Sequence, residues 1–329
     1  MNQKQALFVL ISIGTIFLFA LAFMNYYVNP FSIYSTTAFK PLRMTHKTFK
    51  LWNLKSDDLK PEVLIVGSSR SFKVSPAYIQ TKTGLTAYNA ALSGWGPEYF
   101  FQVLNLATQH KKIRWLILGL DLKSMGEEEL LAERFKRITG MVIKLFSYEQ
   151  SKASLNLLYR VYVLDKPVIS QYGSSWVWHK DGERNYGIEY EEKTKNTIHI
   201  AARKTASLYK AKYAHYKALS KEKMNYIKKV LQIAERENIE VSIFLTPLHP
   251  IALEELHAQG IIQKRHQETI DFFESLKKNY SFRFYDFITS ESFGGAPTDF
   301  YDGEHTRKSL GDKVLDRIIP DCQICDIKS

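Results

Sequence analysis

The chain has 329 residues, 45% hydrophobic and 24% charged, with a formal net charge of +11. That length buries one large core or two small ones, and the composition excludes wholesale disorder. The excess charge is local: residues 193–229 hold eleven Lys or Arg and one acid, Glu222, while the rest of the chain is almost balanced.

The first predicted element is a membrane span. Ala6 to Met24 runs 19 residues without a charge, and at about 1.5 Å per residue nearly matches a hydrocarbon core of about 30 Å. Asn25, Tyr26 and Tyr27 follow, which suits an interfacial aromatic belt. A cleaved signal peptide is the alternative. Against it, the run exceeds a usual signal core, and "FMNYYVNP" offers no small-residue cleavage site. The expectation is an uncleaved single anchor over residues 1–27. Lys4 lies before it and Lys40, Arg43, Lys47 and Lys50 after it, so counting basic residues leaves the orientation open. Residues 28–59 read as a linker, with Pro30 and Pro41 interrupting helices.

From residue 60, strands and helices alternate. "EVLIVGS" reads as a buried strand. "SPAYIQTKTG" reads as a short helix with Ser75 as N-cap, Pro76 in the first turn and Gly84 as its stop. "LTAYNAALSG" is a second strand and its loop, "PEYFFQVLNLATQ" a helix from Pro97, and "IRWLILGLD" a third strand. Residues 122–219 break the alternation and read as a helical insertion that carries the loop "SSWVWHKDGERNYG". "SKEKMNYIKKVLQIAEREN" is a strongly amphipathic helix, "IEVSIFLTP" a strand, Ile262 to Lys278 a helix and "FRFYDFI" a fifth strand. A last helix runs from about Thr306 to Ile318, and residues 321–329 form a tail. Continuous apolar strands alternating with helices imply an α/β fold of three layers, α/β/α, with a five-stranded parallel sheet covered on both faces, over residues 60–320. In such sheets ligands bind beyond the carboxyl ends of the strands. Gly67 to Ser71, Asn89 to Gly96, Gly119 to Asp121 and Thr246 to His249 fall there.

Two of these places carry chemistry. "GSSRS" puts three serines after the first strand. Serine attacks only when a base takes its proton, and the base needs a partner to orient it. "TDFYDGEHTRKS" supplies Asp302 and His305 just before the last helix. At that spacing a carboxylate can hold one imidazole nitrogen while the other meets a nucleophile. Alone, the pair reads equally as a turn at Asp302-Gly303, and Ser68 and Ser71 read as capping and loop residues.

Taken together, the blocks resemble the SGNH (GDSL-like) hydrolase superfamily over about residues 60–320. Gly67-Ser68-Ser69 matches that family's Gly-Asp-Ser motif with Ser68 in place of Asp. "YNAALSGWG" matches its second block, and Asp302 and His305 its last. The resemblance implies Ser69 as nucleophile, His305 as base, Asp302 as its orienting acid, and an oxyanion site at the backbone N–H groups of Ser69 and Gly94. "GSSR" is similar to the membrane-anchored subset that includes alginate O-acetylation proteins and the D-alanine transfer protein of teichoic-acid modification. That subset implies a single-pass protein of the cytoplasmic membrane with an extracytoplasmic or periplasmic catalytic domain, a glycan or acylated sugar as substrate, and a multi-span membrane acyltransferase as partner.

One departure matters. The family's third block supplies an asparagine to the oxyanion hole, whereas this strand ends Gly119-Leu120-Asp121. An ionised Asp121 there would oppose the developing charge; losing one donor already costs about 2.7–4 kcal/mol. Three resolutions are open: a protonated Asp121, another donor such as Asn89, or an Arg70–Asp121 pair, which we favour. Trp95, Trp176 and Trp178 offer faces for sugar rings, Trp95 best of the three, and His249 is a further substrate-binding candidate. Ile198, Ala202, Ala206, Tyr209, Tyr213 and Tyr216 recur at helical spacing and predict one docked face. The lysines of 193–229 then form a solvated surface or one for anionic lipid or acidic polysaccharide. No nucleic-acid motif appears. No metal or other cofactor is expected: the histidines lack ligand spacing, and Cys322 and Cys325 suit a tail disulfide or two idle thiols. The function expected is a serine acylesterase or O-acyltransferase on an extracytoplasmic glycan. The alternative is a weakly or non-catalytic glycan-binding or accessory partner of a membrane acyltransferase.

Overall fold

The computed structural model describes residues 2–325 apart from 35, 37, 127–130, 167, 169–170, 173–176, 187–191, 215 and 259. Trp176 lies outside the described residues. The helices are α1 (Gln3–Val28), α2 (His46–Lys55), α3 (Pro76–Thr83), α4 (Pro97–His110), α5 (Leu131–Leu145), α6 (Tyr148–Tyr162), α7 (Lys195–Ala214), α8 (Lys221–Arg236), α9 (Pro250–His257), α10 (Ile261–Leu276) and α11 (Lys308–Ile318). The main strands are β1 (Val63–Gly67), β2 (Ala87–Asn89), β3 (Trp115–Leu120), β4 (Glu240–Leu245) and β5 (Arg283–Asp286). The chain divides into two compact units, residues 1–49 with 129–176, and residues 50–128 with 177–329.

The second unit holds the sheet. All five strands are parallel, in the order β2-β1-β3-β4-β5. The order reverses beside β1, the topological switch point at which open α/β sheets bind ligands. Alternation along the strands separates the two faces. Leu64, Val66, Leu116, Leu118, Val241 and Ile243 join one core with residues of α4, α8 and α10. Val63, Ile65, Trp115, Ile117 and Phe244 join the other with residues of α3 and α11. Both faces are dry, so the strands read as apolar runs.

Local signals set the element ends. The Ser75 hydroxyl accepts from the Tyr78 N–H, Pro76 opens α3, and Gly84 closes it at φ +75°. Ser220 caps α8 in the same way. Residues 28–59 are not a bare linker: α2 forms beyond both prolines, and Leu54 is fully buried in the core. Of the predicted insertion, 129–176 lies in the first unit and the remainder in the second. The predicted Tyr/Ala face of α7 is buried from Ile198 to Tyr213, while Tyr216 lies past the helix end and is buried as well. Cys322 and Cys325 form a disulfide, and Cys322 packs into the second core.

In the first unit, α1 is long and apolar enough to cross a membrane. Asn29 ends it in the left-handed region at φ 46°. Its carboxyl end packs against α5 and α6, and Arg43–Met44 pairs in parallel with Gln171–Tyr172.

Candidate active site

β1 is buried throughout and delivers the chain to the three serines. Ser68 is extended, and its hydroxyl caps the next turn by accepting from the Arg70 N–H at 3.1 Å. Ser69–Ser71 is a single 3-10 turn. The Ser71 hydroxyl is buried between two strand ends. A Cβ added at Gly67 would lie 2.2 Å from Ser71 Oγ, and one added at Gly119 would lie 2.1 Å from it. Two serines are thus built into the frame, and Ser69 is the partly exposed one.

His305 arrives from the loop before α11. Asp302 Oδ1 accepts from the backbone N–H groups of Glu304 and His305, each at 2.8 Å, which fixes a tight turn. Its other oxygen, Oδ2, lies 2.8 Å from His305 Nδ1. His305 Nε2 lies 2.9 Å from Ser69 Oγ. Asp302-Gly303 is therefore a turn and an imidazole clamp at once. Burial alone would raise the Asp302 pKa. The bonds from His305 and the two N–H groups outweigh it and hold the carboxyl at about 2. An ionised Asp302 accepts only, so the neutral imidazole carries its proton on Nδ1 and leaves Nε2 to accept from the Ser69 hydroxyl.

The loop after β2 lies alongside β1. The Ala90 N–H donates to Ile65 O at 2.8 Å and the Leu92 N–H to Gly67 O at 2.9 Å. Beyond this pair both segments turn: Ser69 opens the 3-10 turn, and the Trp95 N–H donates back to Leu92 O at 3.3 Å across Gly94. Gly94 is exposed and has φ +72°, which glycine adopts without strain. Among the described residues, no hydrogen bond occupies the N–H of Ser69 or of Gly94.

Asp121 follows β3 and is paired. Arg70 Nε stands 3.7 Å from Asp121 Oδ1, with both side chains buried. The Thr246 hydroxyl donates to the same oxygen at 2.8 Å. Arg70 Nη2 donates to the carbonyls of Thr246 at 2.9 Å and Pro247 at 2.5 Å. Arg70, Asp121 and Thr246 thus lock the ends of β1, β3 and β4 together. Asn89 is fully buried, and its amide nitrogen donates to Ser71 O and Val74 O, each at 2.9 Å.

His249 lies against the Asp302–His305 turn, where its backbone N–H donates to Gly303 O at 3.1 Å. It is fully buried, and its Nδ1 accepts from the Ile251 N–H at the start of α9. Burial and the neighbouring His199 push its pKa down to about 4. Trp95 is half-buried against the core and Tyr99, with ring centroids 5.2 Å apart. Trp178 meets Phe72 edge-on at 5.1 Å behind the Ser69 turn and packs rather than presenting a free face.

Sequence reasoning missed a polar cluster beside the clamp. The Tyr209 hydroxyl donates to Glu304 Oε2, and Lys123 Nζ reaches the Tyr209 hydroxyl at 2.7 Å and Glu304 at 3.3 Å. Tyr209 was legible as part of a packed stripe; its hydroxyl partner was not. No group of three or more His, Cys, Asp or Glu side chains among the described residues could hold a metal ion.

No protein-family model matches the chain, and no curated protein does either. Among solved structures, a Streptococcus pneumoniae protein provisionally named a platelet activating factor is similar at 9% identity and TM-score 0.43, over 84% of this chain and 90% of that one. A Bacteroides fragilis protein provisionally named an acylhydrolase is similar at 10% identity and TM-score 0.40, over 83% of this chain and 93% of that one. At these values neither bears on chemistry.

Proposed function

We propose that the chain is a membrane-anchored serine acylesterase or O-acyltransferase that acts on an acylated glycan outside the cytoplasm. The observation that carries the reading is the continuous relay from Ser69 through His305 to Asp302, at 2.9 and 2.8 Å. The extracytoplasmic glycan, and a multi-span acyltransferase beside it, rest on the resemblance of "GSSR" to the anchored subset.

In this reading Ser69 Oγ attacks the acyl carbonyl as its proton passes to His305 Nε2. Asp302 holds the imidazolium that forms. The N–H groups of Ser69 and Gly94 receive the oxyanion. The ester C–O bond breaks, and His305 returns the proton to the leaving oxygen. The acyl group then sits on Ser69. Water, deprotonated by His305, completes an esterase; a sugar hydroxyl completes a transferase. Arg70 compensates Asp121, so the carboxylate at the end of β3 does not oppose the oxyanion as a bare charge.

Labelling tests the reading. The detergent-solubilised full chain is treated with a fluorophosphonate and the adduct is mapped. The expected adduct sits on Ser69 and vanishes in Ser69→Ala. A folded protein with no adduct on Ser69 overturns the proposal. Release of acetate from acetylated sugars, with and without an added glycan acceptor, then separates hydrolysis from transfer.

A further inference from the structure

One side of the first unit is apolar and uncovered. In α5, Phe135, Ile138 and Val142 recur at helical spacing, and Phe146 follows just past the helix end. All four are exposed, Phe135 by 74%. Spacing of this kind puts them on one stripe, the stripe that a water-facing helix packs against a core. In α6, Tyr159 and Tyr162 are exposed too, as is Val163 just beyond it.

This surface begins where α1 ends. Asn25, in the last turn of α1, is fully buried. Its amide nitrogen donates to Leu145 O at 2.7 Å and Ser151 Oγ at 2.8 Å, and its amide oxygen accepts from Ser154 Oγ at 2.8 Å. Gln150 Nε2 donates to the Asn25 carbonyl at 3.4 Å. The end of the span is therefore part of the fold of α5 and α6, and removal of α1 as a signal peptide would empty their junction. Ring contacts continue the aromatic belt outward: Phe23 to Tyr27 at 5.8 Å, Tyr27 to Phe39 at 5.9 Å, and Phe39 to Tyr162 at 6.1 Å. The sequence of α5 carries Arg134, Lys136, Arg137 and Lys144 against one acid, Glu133. Lys136 and Lys144 are exposed. An apolar stripe with basic residues is the composition of a helix that lies in a membrane interface.

We propose that α5 and α6 lie on the lipid bilayer around the carboxyl end of α1, with the apolar stripe among acyl chains and the lysines among anionic headgroups. The proposal rests on α1 being a retained span, and is independent of the chemistry at Ser69. It assigns lipid contact to this helix pair, whereas the charge count alone pointed to residues 193–229.

The test uses the full chain in nanodiscs of equal parts phosphatidylcholine and phosphatidylglycerol, made with plain or brominated acyl chains. Single cysteines replace Phe135, Val142 or Phe146 and carry a bimane label. Phe19→Cys within α1 is the positive control, and Lys228→Cys on the exposed face of α8 the negative one. Bromine quenches bimane only on contact. The expected result is about twofold or greater quenching at 135, 142, 146 and 19 and none at 228. Quenching at 19 but not on α5 overturns the proposal. So does a blue-shifted, unquenched label on α5, which reports cover by protein. If position 19 is itself unquenched, α1 is not a span and the proposal falls with it, while fluorophosphonate labelling of Ser69 is unaffected.

Discussion

Arg70 and Asp121 form a buried ion pair at the mouth of the sheet, with Nε and Oδ1 3.7 Å apart and side-chain exposures of 2% and 3%. Removing one partner of such a pair leaves an uncompensated charge and costs about 3–5 kcal/mol. Arg70→Met also takes the donor from the carbonyls of Thr246 and Pro247. The expected order of destabilisation is Arg70→Met above Asp121→Asn, since an amide oxygen in place of the carboxylate can still accept from the Thr246 hydroxyl. A double-mutant cycle by urea denaturation should give coupling above about 1 kcal/mol. Additive losses would mean that the charges do not interact.

Asp302 gives a pH signature. Its carboxyl is held at about 2 in the folded chain, because the bonds from His305 and two N–H groups outweigh burial. An unfolded Asp titrates near 3.9. The native state therefore binds fewer protons between these values. The stabilisation is complete above about pH 4 and is lost as pH falls through about 2. It amounts to roughly 2.5 kcal/mol. Urea midpoints measured from pH 5 to pH 2 should fall more steeply for the wild type than for Asp302→Asn. Parallel curves would show that the clamp does not depress this group. Under the proposed chemistry, the same substitution lowers turnover by about 10⁴-fold, by removing the partner that fixes the His305 tautomer.

Gly67 and Gly119 are required by Ser71 in different ways. At Gly119 an added Cβ meets Ser71 Oγ at 2.1 Å and the far edge of Phe244 at 2.8 Å. At Gly67 it meets Ser71 Oγ at 2.2 Å, Ser71 Cβ at 2.7 Å and the Gly119 carbonyl at 2.9 Å. Overpacking of this kind costs about 1–3 kcal/mol. Ser71→Ala should rescue part of the loss in Gly119→Ala, because it removes the nearest atom. It should rescue little in Gly67→Ala, where a Cβ and a backbone oxygen remain. Thermal melts of the single and double variants decide it, and equal rescue would contradict the geometry.

The legible parts of the chain were those where local pattern and burial agree. β1, β3 and β4 are apolar on both faces because helices cover both, and α3 announces itself through Ser75, Pro76 and Gly84. Ser69, Asp302 and His305 were singled out as a set by the resemblance of their motifs to a known family; a place at a strand end or before a helix gave only their neighbourhood. Asn89 and His249 stand at such ends too, yet the fold spends them on loop carbonyls and a helix start. Sequence position gave their neighbourhood and not the direction of their side chains. Lys50 was invisible for a stronger reason. It lies in a stretch interrupted by prolines, and its partners, Asn89 and Gly182, come from two remote loops.

Lys50 supplies the last prediction. Its side chain is fully buried. Its Nζ donates to Asn89 O at 2.6 Å and to Gly182 O, and lies 4.0 Å from the Trp178 ring centroid. Burial lowers its pKa well below the usual lysine value, and Asp181 offsets only part of this. The folded chain thus binds fewer protons than the unfolded one from that lowered value up to about 10.4. Stability should rise with pH across this window, the reverse of a lysine that gains a surface carboxylate. Lys50→Met removes the titration and leaves two carbonyls unpaired, at about 1–3 kcal/mol each. The variant should be less stable at neutral pH and lose the rise toward alkaline pH. Gly182→Ala should loosen the same joint by another route, since a Cβ there would lie 2.1 Å from Asn89 O. The Asn89 amide holds the carbonyls of Ser71 and Val74, so both variants should speed amide exchange in the Ser69–Val74 loop. Unchanged exchange there would separate Lys50 from the site and confine it to the core.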